Sequence, residues 1–405
     1  MVIRADSSYS VCCYNSENAS NEEGTTAHIY EQGLESAFHS PFYQELRRSM
    51  LADERHPSCA KCWQDDDSGL MSKRKFENII QADLVKKVLK GEEITAPSLI
   101  SMNLGNLCNL KCRICGPVSS SRWAQEYLEL YGVDHIPRES RKMKTLSLEE
   151  SRSLLTNWPS TTPGFVETLR KWWPSFRRVE FLGGESLLNK VQIQLLKDGA
   201  PAPVAEHQQI DFTTNGSLFP DNDLIESWKK YKSVSVNISI DGLDRHFEYQ
   251  RFGARWEDVA KNIQRYRNLG FLSRVNVLLT VSIFNIFYLP EIYAGLGKLG
   301  FPVNDVREWS PASGTGFVYR TLRERVRKFL SGGRPEGAIF TSFVFNPEKF
   351  DVRGLPLELK NKIAVKFQAA MPKMSESARV QLDVVLDHLF SVFNLCCGFF
   401  TAFLL

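Results

Sequence analysis

Between about Pro97 and Trp309 the chain alternates short β-rich runs with helical ones, and this alternation restricts the possible folds more than any other feature. Residues 98–104 (SLISMNL), 177–182 (RRVEFL), 208–214 (QQIDFTT), 233–240 (SVSVNISI), 274–282 and 304–309 read as strands, the fourth with β-branched alternation. Helical stretches fall between them at 119–130, 186–196, 221–231, 256–270 and 288–300, with serines or Asn/Asp at starts and Gly270 as a stop. Adjacent parallel strands need a crossover, usually a helix, so six strands separated by helices predict an α/β fold with a parallel sheet. A polar, Pro-containing insert at 133–165 interrupts the series. The reading gives three regions. Residues 1–95 are polar and Cys-rich, with one helical stretch at 40–51. Residues 96–310 form the alternating unit, and 311–405 are Gly-rich at first and mainly helical after that.

With 405 residues, 43% hydrophobic and 24% charged, the chain has enough apolar surface for a real core, which excludes disordered and fibrous classes. Lys plus Arg (50) nearly balances Asp plus Glu (47), so wholesale nucleic-acid binding is not expected. The first residues lack an apolar signal stretch. The 17 residues 389–405 are apolar but contain Asn394 and fall short of the roughly 20 that a membrane span needs. A tail anchor, a core helix and a terminus without functional meaning all remain open, and the expectation is a cytoplasmic protein without membrane association.

The nine cysteines sit in groups: Cys12 and Cys13; Cys59 and Cys62; Cys108, Cys112 and Cys115; Cys396 and Cys397. Close groups in a chain without a secretory signal point to metal rather than disulfides. Cys108, Cys112 and Cys115 have C-x3-C-x2-C spacing in NLGNLCNLKCRICGP, directly after the first strand. Three thiolates on one tight loop can hold three irons of a [4Fe–4S] cube and leave the fourth open. A zinc site would want four ligands, or three and water, and no histidine lies near this loop.

This region resembles the radical S-adenosylmethionine (SAM) superfamily over about residues 97–310, and the likeness does not rest on the cysteines alone. FLGGES (Gly183, Gly184, Glu185), TTNG (Thr213 to Gly216) and SIDG (Ser239 to Gly242) followed by Arg251 each stand at the end of an expected strand, in the family's order. That end is where α/β barrels place their sites. The resemblance implies a partial (β/α)6 TIM-like barrel carrying a [4Fe–4S] cluster, with SAM chelated to its open iron. It also implies SAM-binding roles for Ile114, Gly183, Gly184, Glu185, Thr214, Asn215, Ser239, Asp241 and Arg251. Ile114 would pack near the adenine; glycine carbonyls and Glu185 would receive the ammonium group; Ser239 and Arg251 would hold the carboxylate. The implied activity is reductive cleavage of SAM to a 5′-deoxyadenosyl radical, which abstracts hydrogen from a substrate.

The segment SCAKCWQDDDSGLMSKR (58–74) is similar to SPASM- or twitch-like auxiliary-cluster segments. Cys12 or Cys13 would join Cys59 and Cys62 in an auxiliary iron–sulfur cluster; a zinc site and no metal are the alternatives. The implied partners are a one-electron reductant such as a flavodoxin or ferredoxin and, by analogy with auxiliary-cluster relatives, a peptide or protein substrate. RNA or a small metabolite as substrate, and a non-catalytic metal-binding protein, are the rival readings. Trp172, Trp173 and the many Phe residues read as packing, and for His246, after SIDG, a place facing the active site and a surface or satisfied role both stay open.

Overall fold

The computed structural model describes residues 1–12, 19–21, 23–67, 72–133, 151, 158–199, 201–303, 337–344 and 348–391. Ten strands are present among these residues: β1 (Val2–Ile3), β2 (Tyr9–Ser10), β3 (Leu99–Asn103), β4 (Lys111–Cys112), β5 (Arg178–Leu182), β6 (Gln209–Thr214), β7 (Ser233–Ser239), β8 (Arg251–Phe252), β9 (Arg274–Val281) and β10 (Ile339–Phe343). Eight of them form one open sheet in the order β10-β9-β7-β6-β5-β3-β1-β2, parallel throughout except for the β1–β2 edge. The mixed α/β architecture is that of a partial TIM-like barrel.

The five strands expected from 98 to 282 all form, each within two residues of its predicted ends, because period-2 alternation and helix caps are local signals. Asp221 caps the helix Asn222–Trp228 by accepting from Leu224 N at 2.7 Å, and Asn189 caps Lys190–Asp198 through Gln192 N at 3.0 Å. Outward-facing strand residues meet the covering layer: Phe212 packs on Trp228 at 5.3 Å between ring centroids, and Phe181 on Trp173, in the turn Trp173–Ser175, at 6.4 Å. Burying each such ring contributes about 1.5–3 kcal/mol.

Two regions differ from the sequence reading. The expected strand 304–309 lies outside the described residues, and the sixth parallel strand is β10, which pairs with β9 in register Ile339↔Val277. A five-residue run without flanking helical signals looks like loop in sequence; among the described residues after 310, α-helix is found at Leu357–Ala370 and Glu376–Phe390. At the other end, β1 pairs with β3 (Val2↔Ser101), so the Cys-rich region adds its first residues to the barrel sheet rather than standing beside it. Two residues are too short for any periodic signal. Part of the insert is described: Trp158 donates to Ala5 O at 2.8 Å and ties it to the same region. Trp172 and Trp173 are buried core, as read. No described helix is long and apolar enough to cross a membrane; Cys13 and the tail with Cys396 and Cys397 lie outside the described residues.

The inner sheet face is polar. Ser101, Glu180, Asp211, Ser235 and Arg274 lie in one register row, with Thr213, Asn237 and Asn276 in the next. Arg178 Nε meets Asp211 at 2.7 Å, and its Nη2 meets Glu180 at 3.1 Å. Asn276 donates to Asn237 at 2.9 Å.

Candidate active site

The loop after β3 carries the three cysteines, and a two-residue ribbon fixes it. β4 pairs antiparallel with β8, so that Cys112 stands directly opposite Arg251 and Lys111 opposite Phe252. Side chains alternate across a strand. Cys112 and Arg251 therefore point inward and are buried, while Phe252 is 53% exposed. Gln250 O accepts from Arg113 N at 2.8 Å, and Cys112 O accepts from Trp123 Nε1 at 2.8 Å, which secures the ribbon on both sides. Trp123 sits in the helix Ser121–Tyr131, whose start is fastened when Ser120 Oγ donates to Leu110 O at 2.6 Å.

Arg251 is the charged centre. Its Nη2 meets Asp241 Oδ2 at 2.7 Å and its Nη1 lies 3.9 Å from Cys112 Sγ. Asp241 also accepts from Thr280 N at 2.9 Å, and its carbonyl accepts from Gln250 Nε2 at 2.9 Å and Asn285 Nδ2 at 3.0 Å. The SIDG strand end thus aims Arg251, and Asp241, only 1% exposed, acts through that arginine. Asp241 already holds a guanidinium and a backbone N–H, which suits it to position that arginine.

The GGE turn is built by close approach. Gly183 and Gly184 have φ of +86° and +49°. A Cβ on Gly184 would lie 2.2 Å from the Leu107 carbonyl oxygen, where only glycine fits, and one on Gly183 would lie 1.6 Å from Asn103 Oδ1, so that side chain would have to move. Glu185 closes the turn from within. It is fully buried, with Oε1 accepting from Leu187 N (3.1 Å) and Thr214 Oγ1 (2.8 Å) and Oε2 from Asn215 N (2.8 Å). These three hydrogen bonds brace the GGE turn against TTNG, and burial pushes the carboxyl above the usual range. Asn215 continues the brace: its Nδ2 donates to Asn109 Oδ1 at 2.9 Å and lies 4.0 Å from Cys108 Sγ. Ile114 is half-buried on the cysteine loop, and Ser239 is half-buried at the end of β7.

The thiols themselves are unequal. Burial pushes Cys108 up to about 11. The hydrogen bond between Cys112 and Cys115 lowers Cys112 and raises Cys115, with Arg251 also favouring the Cys112 thiolate. All described cysteines are thiols rather than disulfides. A cluster and an anionic co-ligand fit this donor set: three thiols converge beside a buried guanidinium whose Nε has no hydrogen-bond partner. Among the described residues no three His, Cys, Asp or Glu side chains close on one metal ion. Thiolates of one cubane bind different irons and stand further apart, about 6–7 Å.

Cys12, Cys59 and Cys62 share a second neighbourhood. Burial pushes Cys59 up to about 11, and the nearby Cys12 and Cys62 thiols add to that shift. Cys59 closes the turn Pro57–Cys59, and Cys62 lies one helical turn on, within Ala60–Asp67. Trp63 donates to His56 O at 3.1 Å and carries the Arg74 guanidinium 4.2 Å above its ring.

Sequence reasoning missed Trp123, Gln250, Asn285 and the polar inner row. The last had a signal, since Ser101, Glu180 and Asp211 occupy the polar positions of their alternating strands. His246 is exposed, and its ring lies tilted against that of Tyr288 at 4.1 Å between centroids.

Residues 102–292 match the family described as the radical SAM superfamily, and residues 1–63 match an iron–sulfur cluster-binding domain, SPASM. GTP 3′,8-cyclases of Pasteurella multocida (strain Pm70) and Haemophilus influenzae (strain PittEE) are each 24% identical over 173 residues. The match covers 42% of this chain and 42% of the curated relative in both cases. Among solved structures, Streptococcus suis SuiB bound to S-adenosylmethionine aligns at 16% identity and TM-score 0.35, covering 76% of this chain and 63% of that one. Native anSMEcpe with bound AdoMet and Cp18Cys peptide aligns at 13% and TM-score 0.30, covering 59% and 62%.

Proposed function

Residues 102–292 belong to the radical SAM superfamily, and on that premise we propose that the protein is a SAM-dependent radical enzyme acting on a peptide or protein substrate. Cys108, Cys112 and Cys115 would hold a [4Fe–4S] cluster, and Arg251 and Ser239 would take the SAM carboxylate. When bound, the reduced cluster and SAM supply a 5′-deoxyadenosyl radical that removes a hydrogen atom from the substrate. The chain's own residues orient and shield. Gly183 and Gly184 let a ligand head approach the backbone, Glu185 locks that turn to TTNG, and Asp241 aims Arg251. The observation that carries the reading is the ribbon, which sets Cys112 directly opposite Arg251 and so puts a thiol and a buried guanidinium side by side.

The substrate class rests on the charge of the inner sheet face. Arg178 meets Glu180 and Asp211, with Glu77 at 3.7 Å, and Arg274 faces Asp211 as well. Above them stand neutral amides, Asn237 and Asn276. A lumen whose arginines already face carboxylates repels a polyphosphate and suits the neutral amides of a peptide. Residues 1–63, with Cys12, Cys59 and Cys62, would hold the auxiliary iron–sulfur cluster. Anaerobic reconstitution tests the core reading: about four irons per cluster, and a reduced-state EPR signal that changes on adding SAM. Replacing Cys108, Cys112 and Cys115 by alanine should abolish that signal, and its survival would overturn the assignment. Incubation with peptide pools or with GTP, followed by 5′-deoxyadenosine measurement, separates the substrates; stimulation by GTP alone would refute the peptide reading.

A further inference from the structure

We propose that the outer face of the cysteine-loop ribbon is the docking surface for an acidic one-electron carrier protein, with Trp123 at the point of electron entry. The proposal rests on the cluster assignment above, which requires one electron to enter from outside. The wall between the three thiols and solvent is one strand thick here. Across the β4–β8 ribbon, Cys112 and Arg251 face in, and Lys111 and Phe252 stand on the opposite, outer face. Arg113, next along, is exposed.

The outer face combines apolar rings with cations. Phe252 and Tyr249 are each 53% exposed. Lys111 Nζ lies 4.9 Å from the Trp123 ring centroid and 5.7 Å from that of Phe252, and the Arg113 guanidinium lies 4.1 Å from that of Tyr249. Arg122 joins Lys111 and Phe252 around a shallow cavity of about 200 Å³. Glu126 and Glu129 line the same cavity, but Glu126 is already bound to Lys111. With that pair set aside, Arg113 and Arg122 outnumber Glu129, and the net positive face complements an acidic partner around an exposed apolar centre.

Trp123 connects this face to the thiols. Its ring is half-buried under Lys111, and its Nε1–H donates to Cys112 O at 2.8 Å, so a single hydrogen bond joins the surface ring to a cluster-ligand residue. In the transfer, the carrier's reduced flavin or iron–sulfur centre loses one electron and the [4Fe–4S]²⁺ cluster gains it; no bond is made or broken.

The test uses the reconstituted full chain and reduced flavodoxin as carrier, following bleaching of cluster absorbance in a stopped-flow instrument. Arg113→Glu and Arg122→Glu should each slow reduction by flavodoxin at low salt about tenfold or more. Reduction by photoreduced 5-deazaflavin, a small molecule needing no docking, should stay within twofold of wild type. Wild-type flavodoxin rates should fall steeply with added salt. Titration of the cluster-free chain with oxidised flavodoxin should show weaker binding for both variants. Trp123→Phe, which keeps the ring and loses the hydrogen bond, should slow electron transfer without weakening binding. Equal flavodoxin rates and affinities in wild type and both charge reversals, or a salt-independent wild-type rate, would overturn the proposal. If Arg113→Glu fails to take up iron, Arg122→Glu and the salt series decide. Loss of the SAM-sensitive signal in wild type would refute the cluster reading instead.

Discussion

The Arg251–Asp241 pair offers the sharpest quantitative test, because one contact is assigned both a folding and a ligand-binding consequence. The side chains are 9% and 1% exposed and meet at 2.7 Å. At an effective dielectric near 20, unit charges this close attract by about 6 kcal/mol. Desolvation of both ions offsets much of that, so the pair itself adds little; removing one partner is different, because it strands the other charge. Arg251→Met and Asp241→Asn should each cost about 3–5 kcal/mol in the apo protein. Asparagine at 241 would still accept from Thr280 N, but its amide would face the guanidinium donor to donor. The double variant leaves no stranded charge and should recover most of the loss. Urea midpoints give the three values as a double-mutant cycle. In SAM binding, Arg251→Met should weaken affinity at least tenfold, about 1.4 kcal/mol. Asp241→Asn should weaken it too, and the double variant should be no worse than Arg251→Met alone, because Asp241 acts through the arginine. Additive losses in both measurements would refute the coupling and return Asp241 to an independent role.

Three further outcomes are expected. Gly184→Ala should damage SAM binding and stability more than Gly183→Ala, because its Cβ meets the Leu107 carbonyl while the other meets the movable Asn103 side chain. Each carries about 1–3 kcal/mol of backbone strain, and adding Asn103→Ala should partly rescue only Gly183→Ala, as read by thermal melts. The raised Glu185 carboxyl means the folded chain keeps a proton that the unfolded chain releases. Its stabilising contribution is full below the ordinary carboxylate range and lost as pH rises through the raised value. The stability gap between wild type and Glu185→Gln should therefore shift in the variant's favour across that window, and a pH-independent gap would count against the buried, charged carboxylate. Cys59→Ala with Cys62→Ala should lower iron content by one cluster while leaving the SAM-induced EPR change at the first. Unchanged iron would leave these thiols structural.

The five strands from Leu99 to Val281, their helical crossovers and the placing of cysteines, GGE, TTNG and SIDG at strand ends were all legible in the amino-acid sequence. Each depends on periodicity, capping or spacing within a few residues, and local signals survive without tertiary context. What only the tertiary structure decided are pairings between distant segments. The ribbon joins Cys112 to Arg251 across 139 positions. Thr214 and Asn215 close around Glu185 from 29 and 30 positions away and lock the GGE turn to TTNG. β1 and β10 extend the sheet from runs too short or too isolated to show a period. A pattern of apolar and polar residues says which face of an element is buried, but not which distant group satisfies a charge or a carboxylate enclosed there. That is settled only when the chain closes on itself, because an unpaired buried charge costs several kcal/mol and the partner nearest in space meets it.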